Sequence, residues 1–127
     1  MGTRFTTLAE LTETFARETP AHAAIVFEGQ RISYARLHDD VLRCVAALRH
    51  EGVQAGDRVG WLGLNHSDYV TVMCACFRLG AVLVAINARL VAREIAFILE
   101  DAGIDILISE QQFLPVVEGA RTATGLR

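Results

Sequence analysis

The chain has 127 residues, of which 52% are hydrophobic, and a formal net charge of −3. This length and composition predict one domain with a buried core, and the charge, which includes no basic block, leaves no electrostatic footprint for nucleic acid. The sequence has no uninterrupted apolar run of the roughly 18 residues that a membrane span needs, and its start lacks the basic-then-apolar order of a secretory signal.

The first elements in chain order are a helix and a hairpin. Thr7 and Glu10 form a Thr-x-x-Glu capping box, which predicts a helix over about residues 8–18 that Pro20 stops. Two β-rich runs then stand on either side of Gly29, and this pattern predicts a β-hairpin.

A long helix follows the hairpin. Ser33 is placed to cap its start, and Gly52 stands where a left-handed residue commonly ends a helix. Its apolar residues recur at helical spacing and predict one buried stripe: Tyr34, Leu37, Val41, Cys44, Val45 and Leu48.

The middle of the chain predicts a strand, a helix and a second strand. The first strand is expected over Val59–Leu64, and the helix is expected to be capped by Asn65 or Ser67 and to end at Gly80. The second strand, over residues 81–86, is almost entirely apolar, which is typical of strands covered on both faces.

The last part of the chain predicts a helix, a strand and a final helix. The first of these helices has one apolar side, formed by Val91, Ile95, Ile98, Leu99 and Ala102. A strand follows over residues 105–109, and residues 109–121 predict a helix with Pro115 in its first turn. This order of elements predicts an α/β fold, a mostly parallel sheet with helices on both faces, preceded by a helix and a β-hairpin.

The three cysteines, Cys44, Cys74 and Cys76, lie in apolar helical segments, and their odd number predicts reduced thiols in a cytoplasmic protein. Residues two apart on a helix point about 200° apart, so the Cys74-x-Cys76 pair is not expected to hold one metal ion. Buried, inert thiols are the favoured interpretation.

Three other groups of residues are candidates for a site. His66 lies at a strand-to-helix turn, where open α/β folds bind ligands, although a polar loop residue beside a helix cap is the favoured interpretation. Gly60 and Gly63 precede a helix start without any phosphate-loop motif, so they are expected to lie within the strand and to pack against a crossing helix. His38 adjoins Asp39 and Asp40, but adjacent helical residues do not face each other.

The remaining candidates have structural explanations. Three serines precede helices and are interpreted as caps rather than nucleophiles: Ser33, Ser67 and Ser109. The charged residues of the next-to-last helix are interpreted as its solvated face: Arg93, Glu94, Glu100 and Asp101. All twelve basic residues are arginine, which excludes any mechanism that uses a lysine of this chain. From the residues alone, no catalytic, cofactor-binding or metal-binding residue is assigned.

Four segments in one order carry a family resemblance: "ISYARL" after the hairpin, "GVQAGDRVGWLGLN", "FRLGAVLVAIN" and "ARLVAREIAFILEDAG". Together they resemble the N-terminal segment of adenylate-forming acyl-CoA synthetases, the AMP-dependent synthetases and ligases, and most closely the fatty-acyl-CoA ligases. The resemblance covers the chain from about Phe5 onward.

The resemblance implies that residues 1–127 are part of the large N-terminal domain of a longer enzyme. Such an enzyme would use ATP, with Mg²⁺, to convert a carboxylic acid, here a fatty acid, to an acyl-adenylate and then transfer the acyl group to CoA or a carrier protein. The family's phosphate loop and its C-terminal domain with the adenylation lysine do not occur in this sequence. The segment is therefore expected to be inactive alone, and to self-associate through an exposed sheet edge or to bind the rest of such an enzyme.

Two positions depart from the family pattern. The family usually has proline where Ala85 stands, and threonine or serine where Val91 stands. Because Val91 has no oxygen to accept an amide hydrogen bond, the helix that follows is expected to lose about 1 kcal/mol of stability. Two alternatives remain open: a small stand-alone domain that binds a nucleotide or flavin, and an interaction protein that pairs with a longer synthetase.

Overall fold

The computed structural model describes residues 6–122 and 124. Two compact units are present, the first formed by Met1–Ala55 with His66–Gly80, and the second by Gly56–Asn65 with Ala81–Arg127. The described residues contain no helix that is both long enough and apolar enough to cross a membrane.

The first unit begins with the predicted helix and hairpin. After a 3-10 turn over Leu8–Glu10, helix α1 spans Leu11–Glu18. The predicted capping box is wrong in detail, because Thr7 makes no side-chain cap and the Glu10 carboxylate accepts the Thr6 N–H at 2.7 Å.

The hairpin pairs β1 (Ala23–Phe27) with β2 (Gln30–Ser33) in antiparallel register. Its two turn residues, Glu28 and Gly29, both have positive φ, at 50° and 76°. A two-residue turn of this kind matches the right-handed twist of the flanking strands, so the glycine signal in the sequence is confirmed.

Helix α2 (Tyr34–His50) begins and ends as the sequence predicts. Ser33 Oγ accepts the Arg36 N–H at 3.2 Å, and Gly52, with φ 87°, follows the last turn. The Gly52 N–H donates to the Arg49 carbonyl and the Val53 N–H to the Leu48 carbonyl, the paired bonds of a Schellman end. Four residues of the predicted stripe are buried: Leu37, Val41, Val45 and Leu48.

Helix α3 (Ser67–Leu79) ends at Gly80, which has φ 73°. Its cap corrects the sequence prediction, because neither Asn65 nor Ser67 supplies it: His66 is the N-cap, and Ser67 is the first helical residue. An imidazole nitrogen can accept an amide hydrogen bond as a serine oxygen does, although histidine is not a usual capping residue.

The second unit contains a parallel sheet of three strands in the order β4-β3-β5: β3 (Arg58–Leu62), β4 (Val82–Ile86) and β5 (Ile106–Ser109). The register pairs Val59 with Leu83 of β4 and with Ile106 of β5. Strand β3 ends two residues before the predicted Leu64. The sheet itself confirms the predicted α/β class with parallel strands.

Strand β4 differs from its prediction in exposure. Although its sequence is apolar throughout, Val82 is 49% exposed and Ala85 is also exposed. The expectation that β4 is covered on both faces is therefore wrong for the described structure. The reason is its place in the sheet, because β4 is an outer strand and β3 is the central one.

Helices α4 (Ala92–Asp101) and α5 (Leu114–Arg121) complete the second unit. Its core joins the ends of the strands to both helices through Leu62, Ile86, Ile95, Ala96, Leu99, Ile104, Val117 and Ala120. Pro115 lies in the first turn of α5, as predicted, after a 3-10 turn over Gln111–Phe113. Val91 does not join the buried side of α4, because it is the N-cap residue and is 60% exposed.

Candidate functional site at the carboxyl edge of the sheet

The carboxyl ends of β3, β4 and β5 lie at one edge of the second unit's sheet, because the three strands are parallel. Open α/β folds bind their ligands in the crevice outside this edge. The residues that follow the strands there are Gly63 and Leu64 after β3, Asn87 after β4, and Glu110 after β5. This edge is therefore the first place to look for a site.

Glu110 organises the edge between β3 and β5. Its main-chain N–H donates to the Leu62 carbonyl at 3.1 Å, which continues the ladder one residue beyond β5. One carboxylate oxygen accepts the Leu64 N–H, and the other accepts a hydrogen bond from Gln112 Nε2 at 2.9 Å. The main-chain amide at the end of β3, which a bound anion could otherwise use, is thus engaged by a carboxylate of the chain itself.

Gly63 makes room for that carboxylate. A Cβ on Gly63 would lie 2.5 Å from Glu110 Oε1 and 3.0 Å from Glu110 Cγ. Any side chain at position 63 would therefore displace Glu110 from the Leu64 amide. This corrects the sequence interpretation twice, since Gly63 lies after the strand and packs against a carboxylate, not against a crossing helix.

Gly60 does lie within β3, but its neighbours also differ from the expected helix. A Cβ there would lie 2.8 Å from Leu107 Cδ1 and 3.1 Å from Ile104 Cγ2. The glycine lets the side chains of β5 and of the residues before it lie across β3.

The end of β4 is shaped by a local turn. Asn87 Oδ1 accepts the Arg89 N–H at 2.9 Å, and the Asn87 carbonyl accepts the Leu90 N–H at 3.2 Å. Asparagine commonly forms such turns with its own following residues. Its side-chain oxygen is therefore engaged in shaping the loop that leads to α4.

At the start of α4, half of a capping box is formed. Glu94 Oε2 accepts the Val91 N–H at 3.0 Å. The reciprocal bond is missing because a valine side chain has no acceptor, as the sequence predicts. Glu94 therefore also stabilises the start of α4, whereas the sequence predicted it only as part of the solvated charged face.

The candidate residues of the first unit have local partners. His66 Nδ1 accepts the Asp68 N–H at 3.1 Å, and the ring packs edge-on against Phe27 with 5.2 Å between centroids. His38 Nδ1 lies 3.2 Å from Thr12 Oγ1, while Asp40 pairs with the exposed Arg36 and Arg43. His66 is itself the cap, rather than a loop residue beside one, and these contacts account for both histidines structurally.

The predicted serine caps are confirmed at one position of three. Ser33 caps α2, but Ser67 is displaced from the cap of α3 by His66. Ser109 ends β5, and its hydroxyl donates to the Glu110 carbonyl at 3.0 Å. Ser109 therefore supports the turn after β5 rather than a helix start.

The three thiols are free, with Cys74 and Cys76 buried and Cys44 half-buried. Burial, with a smaller contribution from Cys44, raises the pKa of Cys76 to about 11. Burial also raises the pKa of Cys74, and burial together with the Asp68 carboxylate raises that of Cys44. At neutral pH all three are therefore protonated and weakly reactive. Within the described ranges, no three His, Cys, Asp or Glu residues are grouped to hold a metal ion.

A cavity of about 530 Å³ lies beside the end of α4 in the second unit. Its charged lining is acidic, contributed by Glu100 and Asp105, and Thr122 adds a hydroxyl. Two carboxylates repel a phosphate, so the cavity does not suit a nucleotide.

Glu110 is the residue that the sequence analysis missed. The useful signal is an acidic residue directly after one strand and a glycine directly after a neighbouring strand. Since Glu110 lies 46 residues along the chain from the Leu64 amide whose N–H it accepts, only the strand order shows that the two ends meet.

The comparisons with known proteins relate the chain to one family and to several of its members. A family model described as AMP-binding enzyme matches residues 12–125. The chain is 38% identical over 112 residues to a fatty acid–[acyl-carrier-protein] ligase from Streptomyces coeruleorubidus, an alignment that covers 88% of this chain and 22% of the relative. It is 37% identical over 112 residues to a feruloyl-CoA synthase from Amycolatopsis sp, covering 88% of this chain and 23% of the relative.

The fold matches a solved structure of the same kind. A fatty acyl CoA synthetase from Mycobacterium tuberculosis superposes with a TM-score of 0.88 and 29% identity, covering 94% of this chain and 25% of that one. The chain therefore spans about a quarter of the length of each of these three proteins.

Proposed function

The chain belongs to the family of AMP-binding enzymes, and on that premise we propose that it forms the N-terminal supporting part of a carboxylic acid–thiol ligase. In the whole enzyme, a carboxylate oxygen would attack the α-phosphorus of ATP, releasing pyrophosphate and leaving an acyl-adenylate. A thiol sulfur would then attack the acyl carbon and release AMP. Mg²⁺ would stabilise charge on the phosphates during the first step.

The hydrogen bond between Glu110 and Leu64 is the observation that carries the supporting role. At the sheet edge where α/β enzymes hold ligands, the Glu110 carboxylate accepts the main-chain N–H of Leu64. The sequence also has no lysine to stabilise a transferring phosphate. The contribution of these residues is therefore positional: they fix the ends of β3 and β5, and the reacting groups come from elsewhere in the enzyme.

A fatty acid is the proposed substrate class, and the thiol belongs to CoA or to a carrier protein. Two relatives support this range, since one is named a fatty acid–[acyl-carrier-protein] ligase and the other a feruloyl-CoA synthase. The free, protonated thiols also suit a reducing compartment such as the cytoplasm.

A chimera tests the supporting role directly. The segment of the Streptomyces coeruleorubidus ligase that aligns with this chain would be replaced by residues of this chain, and carboxylate-dependent ATP–pyrophosphate exchange would be measured. We expect exchange with the acid preference of the parent ligase, and no exchange above a buffer blank for the 127-residue chain alone.

Two outcomes would contradict the proposal. Exchange by the isolated chain would mean that it carries a complete adenylation site. A chimera that folds, as judged by its circular dichroism and melting, yet makes no adenylate with any acid would mean that this segment does not support the family's chemistry.

A small nucleotide- or flavin-binding domain is the alternative function. Titration of the chain with ATP, AMP and FMN, followed by Trp61 fluorescence, distinguishes the two. Trp61 is the only tryptophan and lies in the central strand β3, so a ligand at the sheet edge would change its emission. We expect no saturable change, because Glu110 holds the edge amide.

A further inference from the structure

The imidazole of His66 lies at the start of α3, where the cap accepts a main-chain hydrogen bond. Its Nδ1 accepts the Asp68 N–H at 3.1 Å, and the same atom lies 3.3 Å from Asp68 Oδ2. One nitrogen therefore has two partners within reach, a donor and an acceptor. Which of the two it can bond depends on whether it carries a proton.

A neutral ring suits the amide, and a protonated ring suits the carboxylate. To accept the Asp68 N–H, Nδ1 needs a free lone pair, so the neutral ring carries its proton on Nε2. In an imidazolium both nitrogens are donors, and a main-chain amide can only donate as well. Because the charge of histidine ordinarily changes between about pH 5 and 8, mild acid is the natural trigger for a change of partner.

The hairpin holds the imidazole in place. Phe27 of β1 meets the ring edge-on, with 5.2 Å between the centroids and 62° between the ring planes. Edge-to-face packing is a preferred arrangement of aromatic rings, and it opposes a large swing of the imidazole. We therefore expect Nδ1 to stay beside Asp68 in both protonation states.

Asp68 supplies the charge that an imidazolium would meet. On the hairpin side Phe27 has no charge, and Glu28, which follows it, is exposed in the turn. From α2, which packs against α3, Cys44 contributes a thiol whose pKa is raised by burial and then by the Asp68 carboxylate. That thiol is uncharged in the pH range where histidine titrates.

We propose that the start of α3 is a proton-operated switch. In the neutral state, His66 caps the helix through the Asp68 N–H. When a proton from the solvent binds Nδ1, the ring donates to the Asp68 carboxylate instead, and the Asp68 N–H loses its acceptor. The first turn of α3 is then loosened while the ring remains packed on the hairpin. This inference is independent of the proposed function.

His38 provides the contrast within the same unit. Its Nδ1 lies 3.2 Å from Thr12 Oγ1, and a hydroxyl can both donate and accept. This contact can therefore persist whether or not His38 is protonated. The two histidines are expected to respond differently to the same change of pH.

Nuclear magnetic resonance of the isotope-labelled whole chain, from about pH 5 to about pH 8, tests the switch. We expect the neutral His66 ring to carry its proton on Nε2, and the Asp68 amide signal to shift with the same midpoint as the ring. Protection of the Asp68 amide against hydrogen exchange, relative to the intrinsic rate at each pH, should fall about three- to tenfold in acid, as for the loss of one hydrogen bond. Protection of the amides beside His38 should stay constant.

Matched substitutions assign the effect to the ring and to its two partners. His66→Asn keeps an oxygen that can cap the helix but does not titrate, so protection of the Asp68 amide should become constant. His50→Asn, at an exposed residue of α2, should leave the transition unchanged. In acid, the Nδ1–H signal of His66 should be protected from exchange in the parent chain and lost in Asp68→Ala.

Three results would overturn the proposal. The first is an Asp68 amide whose protection stays constant while His66 titrates in the parent chain. The second is a transition that persists in His66→Asn while circular dichroism shows that variant folded. The third is a neutral His66 ring with its proton on Nδ1, which could not accept the amide. If His66→Asn does not fold, His66→Ser replaces it, because serine also caps helices and does not titrate in this range.

Discussion

Helices α2 and α4 end in the same way and begin differently. Gly103 has φ 65°, its N–H donates to the Glu100 carbonyl, and the Ile104 N–H donates to the Leu99 carbonyl. This is the same pair of bonds that Gly52 and Val53 form after α2. At the other end, α2 has a serine oxygen on a first-turn amide, whereas α4 starts at Val91, which offers none.

The difference indicates which contacts keep α4 in place. A short helix without a complete cap gains most of its stability from the face that it buries. In α4 that face is Ile95 and Leu99, which are 0% and 1% exposed. Glu94 partly offsets the stability lost at the cap. Its carboxylate accepts the Val91 N–H, and its negative charge near the N-terminus of α4 interacts favourably with the helix dipole.

The largest effect is expected where α4 meets its core. Ile95→Ala should lower the free energy of unfolding by about 2–5 kcal/mol, because it removes buried methylene groups and leaves a cavity. Urea unfolding followed by Trp61 fluorescence reports this in the second unit, since Trp61 is 5% exposed there. Phe97→Ala, on the same helix but at a residue 67% exposed, is the control. An Ile95→Ala loss no larger than that of Phe97→Ala would contradict the view that burial holds α4.

A smaller effect is expected at the shared helix end. Gly103→Ala should cost about 1–2 kcal/mol, the strain of a left-handed backbone with a Cβ. Space is not the reason, because a Cβ there would meet only Arg58, at 4.0 Å. Gly103→Asn should cost less, since asparagine tolerates this conformation. If the two variants unfold at the same urea concentration, crowding rather than backbone strain would have to explain the loss.

The smallest effect is expected at the start of α4, where Val91→Thr would supply the side-chain cap that Ser33 already gives α2. Val91→Thr should raise the free energy of unfolding by about 1 kcal/mol by completing the capping box with Glu94, and Ser33→Ala should lower it by a similar amount at α2. Val91→Ala, which has no oxygen, should change little. Thermal melting by circular dichroism measures both helices, and a stabilisation by Val91→Ala equal to that by Val91→Thr would refute the capping explanation.

Most of the fold was predictable because its boundaries are marked locally. Gly29, Gly52 and Gly80 adopt positive φ where the sequence places a turn or a helix end, and Ser33 caps the helix that follows it. Such signals act within a few residues, so one sequence is enough to interpret them. The alternation of apolar runs likewise predicted the parallel strands.

The errors lie where distant residues decide the outcome. Strand β3 ends at Leu62. The next residue, Gly63, lies against the carboxylate of Glu110, which follows β5. The exposure of β4 depends on its being an outer strand, which its own apolar sequence does not reveal. His66 became the cap of α3 in place of two residues with better capping statistics, and its ring also packs on Phe27 of the hairpin.

The contact between Gly63 and Glu110 also limits the order in which substitutions can accumulate at these two positions. A larger residue at 63 is tolerated only if residue 110 has first become small enough to vacate the space, and that first change costs the Leu64 amide its partner. Either substitution alone costs the Leu64 amide its partner, so the second substitution adds no further loss of that bond. Substitutions at these two positions are therefore expected to arise together in related sequences.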